Sequence, residues 1–199
     1  MAKSQKKMIL LCILAVIVCV SAIVCIVVIR QHNAAAPEAA YYADIAIRDH
    51  GTITVALYPE KAPITVGNFV SLAESGFYDG LTFHRLMEGF MMQGGNGDTA
   101  GRSADKIVGE FAANGYENDL SHTRGAISMA SASDYDSASS QFFIVHKNST
   151  FLDGQYAAFG YVTEGMDIVD AICEAAGPED RTIPEEEQPV ITSITIREA

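Results

Sequence analysis

The chain has 199 residues, 49% of them apolar, and a formal net charge of −12. That is enough for one domain with a proper core and something more. Residues 1–30 hold Lys3, Lys6, Lys7 and Arg30 and no acid, a local +4 that leaves −16 on the rest. A body this acidic argues against nucleic acid or anionic lipid as a partner, and no basic stretch is interleaved with aromatics as a nucleic-acid groove requires.

Met8 to Ile29 is a run of 22 residues without a charge. As a helix it would span roughly 30 Å, one hydrocarbon core, and it is longer than the apolar region of a secretory signal. The reading is an uncleaved transmembrane helix over 8–29. The lysines before it put residues 1–7 in the cytoplasm and the domain outside the cell membrane. Two alternatives stay open: cleavage after Ala34-Ala35-Ala36, and lipid attachment at Cys19 or Cys25. Residues 30–43 read as a linker and 44–199 as the folded domain. Cys173 is the domain's only cysteine, so no disulfide forms within it; in the helical pattern MDIVDAICEA it reads as a small buried residue.

The domain opens with two alternating runs, Ile45/Ile47 and Ile53/Val55/Leu57, separated by His50-Gly51, which predict a hairpin. APITVGNFVSLAESG predicts a helix from Pro63 to Gly76 with Val66, Phe69, Val70 and Ala73 on one face. Residues 96–122 are polar and glycine-rich with few clear elements; Asp98, Asp105, Asp134 and Asp136 read as solvated loop carboxylates, since calcium-loop spacing is absent. GAISMA and QFFIV predict buried strands around the SASDYDSAS loop, 157–162 a further strand, 166–175 a second helix and 190–196 a closing strand. Many strands with two helices point to a mainly β, closed barrel.

The chemistry concentrates in FHRLMEGFMMQGG, residues 83–95. Phe83, Arg85, Met91 and Gln93 fall at strand spacings, with a turn at Glu88-Gly89. Arg85 carries five donors in a fixed fork and keeps its charge. Phe90, Met91 and Met92 supply deformable apolar surface, and Gly94-Gly95 allows a turn or a close backbone approach. A cation and an amide at the edge of an apolar pocket suit a ligand with an apolar group beside a polar one. Phe and Met at strand spacing equally make ordinary core, so composition alone does not decide between pocket and core.

FHRLMEGFMMQGG closely resembles the signature of the cyclophilin family of peptidyl-prolyl cis/trans isomerases. The resemblance continues in order through GAISMA at 125–130, SSQFFIVH at 139–146 and FLDGQYAAFGYV at 151–162. It implies an eight-stranded antiparallel barrel closed at each end by a helix, and an enzyme that twists X-Pro bonds without cofactor or metal. It places the catalytic role on Arg85, with Gln93 and Gln141 holding the peptide and the arginine. Phe90, Met91, Phe143 and Leu152 match positions lining the proline pocket, and the backbone of Ala130 and Ser131 matches a segment that pairs with substrate. Three positions depart from the best-known members. Ser131 replaces asparagine. Phe151 replaces tryptophan and loses the indole N–H, which bears on cyclosporin binding more than on catalysis. Tyr156 replaces histidine but keeps a hydroxyl donor.

Isomerisation needs no proton transfer, so His84 and His122 read as structural; His146 ends a strand with no evident partner. No HExxH, GxSxG or phosphate-binding glycine loop is present. The expected partners are proline-containing segments of unfolded or exported polypeptides, met by a monomer. Two other readings remain: a proline-peptide binding or chaperone module of the same fold without turnover, and a partner-recruiting role for the 96–122 and 178–189 loops.

Overall fold

The computed structural model describes residues 38–199. The anchor expected over 8–29 lies outside them; no helix among the described residues is long and apolar enough to cross a membrane.

The first hairpin forms as its alternation requires. Strand β1 (Tyr41–Ile47) pairs antiparallel with β2 (Gly51–Leu57) from Tyr41↔Leu57 to Ile47↔Gly51. The turn between them uses positive φ at Asp49 and Gly51, where a small side chain or none is favoured. β1 begins at Tyr41, so residues 41–43, assigned from sequence to the linker, are part of the sheet.

Helix α1 (Pro63–Glu74) starts on proline and buries Thr65, Val66, Phe69 and Ala73. Its first turn has no local side-chain cap. The cap comes instead from the long polar excursion: buried Glu110 accepts Ile64 N–H at 3.0 Å and Thr65 N–H at 2.7 Å. A carboxylate there satisfies two otherwise orphaned donors and faces the positive end of the helix. Residues 96–122 are thus anchored although they hold only short 3-10 turns, Gly97–Ala100 and Ala112–Asn114, and an isolated bridge from Ile107 to Ala138.

The remaining strands are β3 (Phe83–Met87), β4 (Met91–Gly94), β5 (Ala126–Met129), β6 (Phe142–Val145), β7 (Ala158–Glu164), β8 (Arg181–Thr182) and β9 (Ile191–Glu198). Helix α2 (Met166–Ala176) follows β7. All pairings are antiparallel, in the order β8-β3-β4-β6-β5-β7-β2-β1-β9.

Eight strands of four to eight residues, with the two-residue β8 added, therefore curl into a half-barrel. This corrects the closed barrel expected from the sequence. The two ends of the sheet meet only at a short seam, where Gly80 N–H bonds Ile191 O, Ile191 N–H bonds Leu81 O and Phe83 N–H bonds Pro189 O. Pro184 and Pro189 have no N–H to donate, and the 3-10 turn Glu185–Glu187 lies between them, so no ladder runs from β8 into β9.

Alternation along the strands divides the side chains between two faces. Ile45, Val55, Phe83, Met92, Ile127, Phe142, Ile144 and Phe159 point inward and join Val66, Phe69, Val169 and Cys173 from the helices. Phe69, Tyr78, Phe83 and Phe142 pack edge-on or tilted at centroid distances of 5.4–5.8 Å. Cys173 is buried, as its helical position predicts, and desolvation pushes its thiol up to about 12. The outward residues Met91, Ala126, Phe143 and Val145 form a second, smaller cluster with Leu152.

Candidate active site

The second cluster is the floor of the site, and strand register builds it. Gln93 lies opposite Phe143 and Met91 opposite Val145 across β4–β6. Ser128 lies opposite Phe143 across β5–β6. On β3, Phe83 pairs with Gly94 and Arg85 with Gln93, so His84 is an extra residue in a bulge. The bulge lets Phe83 and Leu86 both point inward while Arg85 points out beside Gln93. Gly94 is required here, because a Cβ would sit 2.7 Å from Thr82 O and from the Phe83 ring. Gly89 turns the hairpin with φ of 79°.

These elements enclose a cavity of about 280 Å³ lined by Arg85, Phe90, Met91, Gln93, Ala130, Ser131, Phe143, Leu152 and Tyr156. All nine were singled out from the sequence. The other two candidates stand beside it. Gln141 accepts Gln93 Nε2–H at 2.9 Å. Phe151 is 67% exposed and stacks on Phe90 at 5.7 Å. Gln93 Oε1 in turn accepts Arg85 Nη1–H at 3.1 Å, so the guanidinium and the two amides form one chain. Tyr156 packs edge-on against Phe143 at 6.0 Å. A wider cleft, with Glu60, Lys61, Glu117 and Asp119 in its lining, contains none of the candidate residues.

Three partners escaped the sequence reading. Asp180 takes two hydrogen bonds from Arg85, from Nε at 2.8 Å and Nη2 at 2.6 Å. Bonding to Arg85 holds the Asp180 carboxyl below the usual range. Nothing local marks Asp180, which lies 95 residues from Arg85. The second partner is Asp153. His122 Nδ1 is 2.9 Å from Asp153 Oδ1, and His122 Nε2 is 3.0 Å from Ser128 Oγ. The three residue types stand in the order of a hydrolase triad, but Ser128 and His122 are both 0% exposed, so no substrate reaches the hydroxyl. The His122 ring stacks on Phe143 at 6.0 Å and backs the pocket floor. Burial lowers its pKa from 6.5 against the pull of Asp153; a neutral ring with its proton on Nδ1 would donate to Asp153 and accept from Ser128. Asp153 lies inside FLDGQY, so the motif contained the signal, but only the spatial pairing reveals it.

The third concerns His146, for which no partner was expected. Its Nδ1 accepts Gly89 N–H at 2.9 Å and its Nε2 lies 3.2 Å from Asp170 on α2. It thereby fixes the turn that carries Phe90. His84 Nδ1 is buried without a partner among the described residues, and desolvation lowers its pKa.

Residues 42–198 match the family described as Cyclophilin type peptidyl-prolyl cis-trans isomerase/CLD. The chain belongs to this family. It is 46% identical over 132 residues to a peptidyl-prolyl cis-trans isomerase A of Dickeya dadantii, covering 62% of this chain and 67% of that one. It is likewise 46% identical over 123 residues to a peptidyl-prolyl cis-trans isomerase B of Bacillus subtilis, covering 61% and 82%. Among solved structures, a Cryptosporidium parvum cyclophilin crystallised in the presence of the dipeptide Ala-Pro superposes with a TM-score of 0.67 at 28% identity, covering 78% of this chain and 98% of that one. A cyclophilin from Hirschia baltica gives 0.64 at 25% identity, covering 77% and 73%. The cyclophilin-type isomerase fold thus spans the described residues almost end to end.

Proposed function

We propose that this cyclophilin-type isomerase accelerates rotation of X-Pro bonds in unfolded or exported polypeptides, with Arg85 as the donor that stabilises the twisted imide. The barrier is about 18–20 kcal/mol because amide resonance must be lost. No covalent bond has to form. The site has to seat the proline ring, leave the preceding carbonyl free to swing, and favour the twisted state over both planar ones. In the twisted state the imide nitrogen gains a lone pair, and a fixed cationic donor aimed at it is worth more than in either ground state.

The observation that carries this reading is the Arg85–Gln93 hydrogen bond at the rim of a cavity floored by Met91, Phe143 and Leu152. The apolar floor suits a proline ring, and a cationic donor at the rim suits the imide beside that ring. Ala130 and Ser131 border the same cavity, with Ala130 N–H already bonded to Gln141 O; they are the proposed contacts for the peptide backbone. Tyr156 is the proposed hydroxyl donor to the rotating carbonyl. The exposed Phe151 ring extends the apolar wall and favours a second reading, a peptide-holding module with little turnover.

The charge-free run 8–29, flanked by Lys3, Lys6 and Lys7, supports a single-pass anchor with the isomerase domain on the outer side. The deciding experiment is a proline-peptide isomerisation assay on the full-length protein and its Arg85→Ala variant. Equal rates would remove Arg85 from catalysis, and peptide affinity without any rate enhancement would favour the holding module.

A further inference from the structure

Arg85 is held from two sides. Nε and Nη2 donate to the two oxygens of Asp180, and Nη1 donates to Gln93. Three of its five N–H groups are used, leaving one on each Nη. A two-point contact fixes the plane of the fork as well as its position. Gln93 lines the cavity and Asp180 does not, so the carboxylate grips the far edge and leaves the Nη1 edge beside the pocket.

Asp180 reaches this place because its segment is stitched to the strand that carries the arginine. Thr182 pairs with Arg85 and residue 181 with Leu86. Glu88 N–H bonds Gly177 O, and Ile183 N–H bonds His84 O. Both members of the ion pair are partly exposed, and an exposed pair adds little to stability because solvent screens it. The arrangement therefore does more for the orientation of Arg85 than for the fold.

We propose that Asp180 is a positioning residue, locking the guanidinium in its working plane before the peptide arrives. This deepens the reading of Arg85 as transition-state donor and rests on it. A donor that is already oriented needs no reordering as the imide twists.

The test uses the full-length protein with Asp180→Asn, Asp180→Glu, Arg85→Ala and the double variant Asp180→Asn/Arg85→Ala. Asp180→Asn should lower kcat roughly tenfold with KM and the unfolding midpoint unchanged, because only one of the two bonds survives. Asp180→Glu, which keeps the carboxylate, should recover part of the loss. With Arg85 already removed, Asp180→Asn should change the residual rate no further. An unchanged or higher kcat for Asp180→Asn, while Arg85→Ala is impaired, overturns the proposal and leaves the arginine's role standing. A further loss in the double variant, or a fall in unfolding midpoint that tracks the rate, makes the pair structural and overturns it too. Full activity in Arg85→Ala defeats the underlying reading instead.

Discussion

The two faces of β4, β5 and β6 come from the same short strands and do different work. Phe142 and Phe143 are neighbours in sequence. Phe142 is locked among Phe69, Tyr78 and Phe83 on the inner face, whereas Phe143 looks outward between His122 and Tyr156. The inner face is filled from both sides, by sheet and helices. The outer face is floored with apolar groups, ringed by Arg85, Gln93 and Gln141, and left open above. Burial alone does not separate them, since both phenylalanines are buried. What separates them is whether the far side of the ring meets protein or the cavity lined by Arg85 and Gln93.

That contrast can be broken or sharpened in four ways. The largest effect is expected inside. Phe142→Ala should cost about 3–5 kcal/mol in denaturant unfolding, the range for removing a fully packed aromatic, while the turnover of the fraction still folded persists. A loss below 1 kcal/mol would mean that the inner face is loosely packed. Next, outside, Arg85→Ala should lower the isomerisation rate about 10²–10³-fold, by analogy with deletion of an oxyanion-hole donor. Its melting curve should stay near wild type, because a surface pair contributes little. If melting shifted as much as in Phe142→Ala, the outer face would be structural after all.

Third, Glu110→Ala leaves two N–H groups at the start of α1 without an acceptor and should cost about 1–3 kcal/mol, read by thermal unfolding and by faster hydrogen exchange at Ile64 and Thr65. Unchanged exchange there would show that the carboxylate does not protect these two donors. The smallest effect is with pH. Burial lowers the His122 pKa below its ordinary 6.5, so the unfolded chain binds the proton first. This contribution to stability is complete above pH 6.5 and is lost as pH falls through that value towards the folded pKa. His84 shifts the same way, so His122→Gln should flatten the acid side of the midpoint-versus-pH curve without levelling it. An identical curve for the variant would remove His122 from the titration.

The first hairpin and the first helix were legible because each leaves a local period: two for Ile53/Val55/Leu57 and close to 3.6 for Val66/Phe69/Val70/Ala73. The cavity residues were legible only through the family motif, since Met91 and Phe143 have the alternation that core residues have. What stayed hidden has no local signature. The β8–β3 pairing joins segments about a hundred residues apart through backbone atoms, and two residues are too few to show alternation. The half-barrel seam depends on where Pro184 and Pro189 withhold an N–H. Asp180, Asp153 and Glu110 look like solvated acids until the fold brings Arg85, His122 and the start of α1 to them.

The bulge at His84 sets the stakes for a single residue. Because neighbouring positions on a strand face opposite ways, a chain lacking that one residue could not keep both Phe83 and Arg85 where they are. Either the aromatic would be expelled into solvent or the cation would be driven among the rings of the interior. A one-codon deletion at this point would undo either the packed interior or the rim of the cavity, and it could not spare both.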